Sequence, residues 1–436
     1  MKRQLIRILG ILIVFARTCL LGRTVERRGI LVVGGAVVEL DSDGHAFAKM
    51  GTVQYLHELA AHFGIVHFFA PARAKERTVY TSRLGSCIVF HPLLHMDKSG
   101  LRQIHALNHD LRCICKIGLR AEAALEFFPF AGGLIGSLFL RAVSARYGLY
   151  FGTDPVVPLS TIVGTCRILR QLGKRLASQV SSALADFVLV RDPCQIMRYS
   201  SHLQGRIQLS APISALPRPT SIRLDRCQRE EVKLLYVGMF SRRKGLGDLL
   251  RVVSVLAHGP RRRYRLLLVG APEMLGDDSY SLDQLKGLCG SMNINHIVDF
   301  RGYLDNIKDL QDIYDSADVF VLASRREGFP RVIEEALLYG LPVVAFKLAS
   351  LAEVLRDGHD ALLVEPGDSC GFVRAVESVV NDPALRTLLV ANGHRLMESR
   401  FPVRASVQHA ALMSGINGRQ TGPRGTSSPH VQGVGL

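Results

Sequence analysis

Residues 324–345 read SRREGFPRVIEEALLYGLPVVA, and their punctuation decides the fold class. ADVFVLAS (317–324) is a short apolar run that predicts a buried strand ending at Ser324. RREGFP is the loop after it, in which Gly328 permits tight backbone geometry and Pro330 suits the first turn of a helix. RVIEEALLY continues as that helix, with Val332, Ile333, Ala336 and Leu337 as its buried stripe. Gly340 and Pro342 stop it, and LPVVAF begins the next strand. Glu327 therefore falls at the carboxyl end of a strand, where open α/β sheets bind ligands. Glu335 falls a little over one turn into the helix, and its carboxylate can accept hydrogen bonds from two neighbouring hydroxyls, such as those of a ribose. Glu334 lies about 100° round the helix from it and reads as an ordinary surface acid favoured by the helix dipole.

Outward from this stretch the same alternation repeats. VKLLYVGMF (232–240), RYRLLLVGAP and HIVDFRGYL read as strands, with KGLGDLLRVVSVLAHG and SLDQLKGLCGSM as helices between them. The first half opens with RRGILVVGG (27–35), a strand ending in Gly34 and Gly35, then a polar loop, AVVELDSDGHAFAKMG. TVQYLHELAAHFG (52–64) has helical periodicity. IVHFFAPA, SCIVFHPLL (86–94), LYFGTDP (149–155) and the end of ALADFVLVRD (183–192) are further strands. Strands that alternate with helices call for parallel sheets covered on both faces. At 436 residues the chain suits two such domains, facing each other across a cleft. The expected organisation is a first domain over 26–205, a linker over 206–231 and a second domain over 232–395. A helical region over 396–416 either packs on the second domain or crosses back to the first, and a Gly/Pro/Ser/Thr-rich tail over 417–436 is expected to be disordered.

The formal net charge of +16 favours an anionic partner: a phosphorylated small molecule, an anionic membrane surface, or nucleic acid. The basic residues are scattered, and no zinc finger, recognition helix or stacking-aromatic pattern accompanies them, so nucleic acid is disfavoured. The nine cysteines form no zinc pattern and read as reduced thiols in a cytosolic setting. Strand alternation would place Cys113 and Cys115 on one face. The start, MKRQLIRILGILIVFARTCLLGR, carries an apolar run of nine residues, Ile8 to Ala16, too short to span a bilayer. Over 1–25 three readings stand side by side: a signal peptide, a basic apolar helix on the inner membrane surface, and an overextended gene start.

LLYVGMFSRRKG (234–245) supplies phosphate-binding chemistry. Gly238 lets the chain turn closely past a ligand, and Lys244 and Gly245 open a helix whose N-terminus favours anions. Lys244 adds a mobile positive charge, and Arg242 or Arg243 a guanidinium fork. The spacing is not that of a nucleotide-binding P-loop. A solvated basic turn is the competing reading.

Taken together, VGMFSRRKG, the Gly-Tyr-Leu segment before ADVFVLAS, EGFPRVIEEALLYGLPVVA and SLAEVLRDGHDALLVEPGD (350–368) resemble the family 4 retaining glycosyltransferases of the GT-B fold. The resemblance is strongest over about 232–380 and rests most on the pair Glu327 and Glu335. It implies a GT-B fold of two Rossmann-like parallel-sheet domains, and transfer of a sugar from a nucleotide-diphosphate donor to a saccharide or lipid-linked saccharide. By it, Glu335 binds the ribose, Glu327 lies beside the donor sugar with Phe329 and Pro330, and Lys244 holds the diphosphate. It implies no metal and no cofactor beyond the donor substrate. Asp277 and Asp278 read as a loop. The family often has arginine directly after the position of Gly238; this chain has Met239, which weakens the phosphate clamp unless Arg242 or Arg243 substitutes. In the first domain Gly34, Gly35 and Gly51 could bring backbone near the diphosphate or the acceptor, with a purely structural turn as the competing reading. Asp154 stands in the segment where the family often carries a histidine, with His91 and His95 as rivals. The expected protein is a cytoplasmic hexosyltransferase, peripheral on the inner face of the membrane. The alternative is a nucleotide-sugar-binding partner of the same fold that has lost turnover.

Overall fold

The structure, a computed structural model, describes residues 29–415 apart from Gly35, Ala215 and the stretches 75–81, 95–99, 129–132, 152–164, 192–194, 197–202, 204–205, 260–261 and 273–278. In the first domain the strands are β1 (Ile30–Val33), β2 (Val38–Leu40), β3 (Ala46–Ala48), β4 (Val66–Ala70), β5 (Ala72–Ala74), β6 (Ser82–Arg83), β7 (Ile88–Pro92), β8 (Ala123–Phe128), β9 (Arg146–Phe151), β10 (Phe187–Val190) and β11 (Ile207–Leu209). Seven of them form one parallel sheet in the order β11-β10-β9-β8-β1-β4-β7. The run Ile-Leu-Val-Val of β1 is buried throughout because the sheet is covered on both faces. Ile30 and Val32 enter one apolar cluster, and Leu31 and Val33 enter another on the opposite face.

Two readings of this domain are corrected. The expected polar loop after β1 folds into β2 and β3, an antiparallel pair within a small sheet of order β5-β2-β3-β6. Val38 and Ala48 are buried there, too few apolar positions for a period to show in sequence. Cys113 and Cys115 lie in the helix Gly100–Gly118, where residues two apart are about 200° apart, so they do not share a face.

The second domain has β12 (Glu231–Val237), β13 (Arg263–Val269), β14 (Val298–Gly302), β15 (Val319–Leu322), β16 (Val343–Phe346) and β17 (Leu362–Val364). They form a parallel sheet in the order β14-β13-β12-β15-β16-β17. The connection between the domains is ordered at both ends. Ile207–Leu209 is the edge strand of the first sheet. Arg226, fully buried, donates to the carbonyls of Gly340 (2.8 Å) and Tyr339 (2.7 Å). Buried Asp318 accepts from Arg223 Nη2 and from the amides of Cys227 and Lys233, each at 2.9 Å. These bonds fasten 223–233 to the second domain.

At the other end the chain returns. The helix Pro383–Arg400 packs on Arg331–Leu338 of the second domain, and the helix Ala405–Met413 packs on Met50–Phe63 of the first. Of the two readings for the last helical region, the structure takes the crossing back. His409 is its buried anchor: Nδ1 lies 2.7 Å from the Tyr55 hydroxyl and Nε2 2.8 Å from Ser210 Oγ, which donates to the Ala211 carbonyl (2.8 Å). This chain assigns the tautomer: Tyr55 donates to Nδ1, and Nε2–H donates to Ser210. Gln408 bonds the Ala211 amide (2.9 Å) and the Leu209 carbonyl (2.8 Å).

Burial, aided by the Arg191 charge, pushes His409 down from 6.5 to about 3, so it is neutral when folded. The unfolded chain binds this proton first, so stability falls as pH drops from about 6.5 towards 3. Between pH 7 and 5 the expected loss from this residue is about 2 kcal/mol. Urea unfolding at the two pH values should show that much less acid sensitivity in His409→Gln than in the natural chain.

Candidate active site

The strand order of the second sheet determines where its ligand crevice opens. The chain runs outward from β12 through β13 to β14, then returns to β15 on the other side of β12. The loops after β12 and β15 therefore diverge from adjacent strands, which is where parallel sheets bind ligands. Here the two loops touch. Gly245 has φ +66°, and a Cβ there would stand 1.7 Å from the Ala323 carbonyl oxygen at the end of β15, so no side chain fits. The Arg325 amide donates to the Arg243 carbonyl (2.9 Å). The Arg325 guanidinium grips Asp248, in the first turn of the helix Leu246–Ala257, at 2.8 and 3.1 Å.

Residues 83 positions apart meet between these loops. Lys244 Nζ pairs with Glu327 Oε1, and Arg243 Nη1 lies 3.6 Å from the same oxygen. Ser350 Oγ donates to the Glu327 carbonyl (3.1 Å) and steadies the loop. Arg242 does not join this group: its guanidinium stacks on the Tyr280 ring at 4.9 Å. Of the two arginines that could stand in for the one missing at Met239, only Arg243 reaches the Glu327 carboxylate. Gly238, just past β12, donates its amide to the Val269 carbonyl of β13 (3.0 Å). Phe329 is buried. Pro330 is the residue before the helix rather than in its first turn, with ψ 126°, and no side chain caps that helix. Of its first amides, that of Ile333 donates to the Pro330 carbonyl (3.1 Å), and a helix start without a side-chain cap, directly after the Glu327 loop, would favour an anion.

Glu335 is buried, and protein hydroxyls hold both of its oxygens. Ser214 Oγ donates to Oε1 (2.6 Å) and Tyr314 Oη to Oε2 (2.9 Å), while Arg331 Nε lies 3.4 Å away. A pattern of two hydroxyls on one carboxylate is present, and Ser214 and Tyr314 provide it. Each carboxylate oxygen keeps a further lone pair.

Glu334 overturns its reading as a surface acid. It is 0% exposed and pairs with Arg191 Nη2 at 2.6 Å. Arg191 follows β10 of the first domain, so the pair spans the cleft. Burial pushes the Glu334 carboxyl up to about 7, with the Arg191 guanidinium pulling the other way. The helix face that a single domain would leave in water is covered here by the other domain. Arg191 escaped the sequence reading, although a charged residue directly after the wholly apolar run Phe-Val-Leu-Val was the available signal.

In the first domain Gly34 has φ +84° at the carboxyl end of β1 and donates its amide to the Phe69 carbonyl (2.7 Å). A Cβ there would come within 3.0 Å of the Phe127 carbonyl oxygen. Gly35, Asp154, His95, Asp277 and Asp278 lie outside the described residues, as does 1–28. His91 sits on β7, the edge strand farthest from β11, stacked on Phe69 with centroids 4.4 Å apart. Its Nε2 lies 3.1 Å from His67 Nδ1. Burial and the neighbouring His67 push it down to about 4, the behaviour of a neutral packing histidine. Beside β14 a cavity of about 680 Å³ separates the domains, lined by Met50, Gln54 and Ser82 on one side and Tyr303, Asp305 and Asp309 on the other. Ser82 Oγ donates to Asp305 Oδ1 across it (2.9 Å).

Among the described residues one group could take a metal ion: Asp41, Asp43 and His45, in the turn between β2 and β3. The Asp41 carboxylate already accepts from the amides of Asp43 (3.0 Å) and His45 (2.7 Å) and faces His45 Nδ1 (3.0 Å), which closes the turn. No helix among the described residues is long and apolar enough to cross a membrane.

Two Rossmann-like parallel-sheet domains presenting their carboxyl ends to one cleft, with the last helix crossing back, make this a GT-B fold. Residues 231–382, about a third of the chain, match the family described as "Glycosyl transferases group 1". The chain is 32% identical over 168 residues to the lipopolysaccharide core biosynthesis glycosyltransferase LpsE of Rhizobium meliloti (strain 1021), covering 38% of this chain and 45% of LpsE. It is 26% identical over 166 residues to the capsular polysaccharide biosynthesis glycosyltransferase CapM of Staphylococcus aureus, covering 38% of this chain and 41% of CapM. The matched stretch thus spans less than half the length of either relative. Among solved structures, sucrose-phosphate synthase from Thermosynechococcus elongatus superposes with a TM-score of 0.62 at 20% identity, over 88% of this chain and 98% of that one. HepE from Anabaena, solved in complex with UDP, superposes with a TM-score of 0.60 at 14% identity, over 89% of this chain and all of that one.

The contact between Gly245 and Ala323 gives a direct test. Gly245→Ala combines a left-handed backbone with a backbone clash and should destabilise the chain by at least ~2 kcal/mol in chemical unfolding. Gly358→Ala, at φ +71° with nothing within 4 Å of the added carbon, should cost about 1 kcal/mol.

Proposed function

We propose that the chain is a family 4 retaining glycosyltransferase that moves a hexose from a nucleotide-diphosphate donor to a saccharide or lipid-linked saccharide, in cell-surface polysaccharide or glycolipid synthesis. The observation that carries this reading is the meeting of Lys244, Arg243 and Glu327 where the second sheet reverses its strand order, beside an uncapped helix N-terminus. The LpsE and CapM names favour surface saccharides as the product class.

In the proposed reaction the bond between the anomeric carbon and the diphosphate oxygen breaks, and the diphosphate leaves with the electron pair. Lys244, Arg243 and the first amides of Arg331–Leu338 stabilise the charge that develops there. Lys244, paired with Glu327 in the free chain, shifts to the phosphate oxygens, and Glu327 then accepts from hydroxyls of the donor sugar. The acceptor oxygen bonds the anomeric carbon from the face the diphosphate leaves, and its proton passes to a departing phosphate oxygen. Glu335 takes a ribose hydroxyl on its remaining lone pairs, and Asp154 orients the acceptor. The net charge of +16 suits a peripheral position on an anionic inner membrane surface.

The test is nucleotide release from UDP-, GDP- and ADP-sugars, with and without saccharide acceptors. One donor should support acceptor-dependent release. Lys244→Ala should lower its turnover by about 10²–10³-fold and Glu327→Gln by at least about tenfold, both at unchanged unfolding midpoints. Asp154→Asn should cut turnover far more than stability. Donor binding without transfer would instead favour the partner protein that has lost turnover, and failure to bind any donor would remove the reading.

A further inference from the structure

Arg191 and Glu334 form a buried ion pair between the two domains. Arg191 Nη1 donates to the Ser210 carbonyl at the end of β11 (3.2 Å), and Nη2 to Glu334 Oε2 (2.6 Å). One guanidinium thus grips the backbone of the first domain and a side chain of the second. Glu334 stands on a two-turn helix, Arg331–Leu338, that begins at the Glu327–Pro330 loop and carries Glu335. Whatever sets Glu334 against the first domain therefore sets this whole donor-side unit.

As a stability element the pair is poor. Two charges lose their water, and well-packed apolar side chains of similar size commonly do as well or better. The satisfaction is also incomplete, since Glu334 Oε1 is buried without a hydrogen-bond partner. What a short, charge-assisted hydrogen bond supplies that apolar packing does not is direction. We infer that Arg191 and Glu334 are a positioning pair: they hold the donor-side helix and the Glu327 loop at one fixed placement against the first domain, where the acceptor is bound. The inference rests on the transferase reading above for its catalytic consequence, and on geometry alone for its structural one.

The experiment uses the full chain in five forms: natural, Arg191→Met, Arg191→Lys, Glu334→Gln and the double variant Arg191→Met with Glu334→Leu. Calorimetry with the nucleoside diphosphate of the active donor gives affinity, steady-state transfer gives kcat, and small-angle scattering gives the spread of inter-domain distances. Arg191→Met and Glu334→Gln should each lower kcat by about 10–100-fold, the scale of a misplacement near 1 Å, while nucleotide affinity moves less than about threefold. Arg191→Lys should keep more of the turnover than Arg191→Met. The double variant should fold as stably as the natural chain yet stay slow, because apolar packing restores cohesion without direction. A double variant with natural turnover would overturn the inference, as would nucleotide affinity falling in step with kcat. If the natural chain transfers no sugar at all, the transferase reading fails and the scattering still decides. A wider distribution in Arg191→Met than in the natural chain supports the pair, and superimposable profiles overturn it.

Discussion

Two parallel sheets that share no strand must be held with their carboxyl ends towards each other, and a band of buried polar contacts does this. It runs from Tyr55 through His409 to Ser210, and from the Ser210 carbonyl through Arg191 to Glu334. Helix Met50–Phe63, the crossing helix Ala405–Met413, the ends of β10 and β11 and the helix Arg331–Leu338 each contribute one member. Each group in the band is directional, so it defines a placement where an apolar interface would define only an area. The requirement that His409 be neutral follows from its position between two hydroxyls in a dry interface.

Within the second domain the site follows from topology. Strand order places the loops after β12 and β15 side by side, and Gly245 lets them close to backbone contact. Arg325 and Asp248 then stitch the loops together on the outside, while Lys244, Arg243 and Glu327 face one another within. Two cationic side chains on one carboxylate leave the cluster with net positive charge, beside helix amides that favour the same sign of ligand. Such a cluster favours an anionic group, although Lys244 stands paired with Glu327 and would have to turn from it to meet one.

The sequence reading reached the elements with strong local signals. The apolar runs of β1, β12, β13, β15 and β16 lie where their patterns predict: β1, β15 and β16 are buried throughout, and β12 and β13 carry charges only in their first halves. That Lys244 and Glu327 each stand in a loop after a strand was legible from the glycines beside them, while their meeting across 83 residues was not. The misses are the places where no clear local period records the structure. Strands β2 and β3 are three residues each, Cys113 and Cys115 belong to the helix Gly100–Gly118 rather than to a strand, and Glu334 looks outward from its own domain. β2 and β3 pair with each other but are too short to show a period, whereas the partner that covers Glu334 lies far away in the chain. The hydroxyls on Glu335 come from Ser214 and Tyr314, 121 and 21 residues away, by the same logic.

What the sequence determined by itself is the alternation of strand and helix, the parallel sheets that follow from it, and the basic and acidic side chains at the strand ends. These are consequences of periodicity, backbone conformation and charge over a dozen residues. The tertiary structure alone decided which of the neighbouring glutamates is held by hydroxyls and which is locked to another domain, and where the last helix belongs. Burial and ion pairing are properties of two surfaces together. Arg191 and Glu334 are 143 residues apart, and only the closed interface removes the water that would otherwise make each an ordinary surface charge.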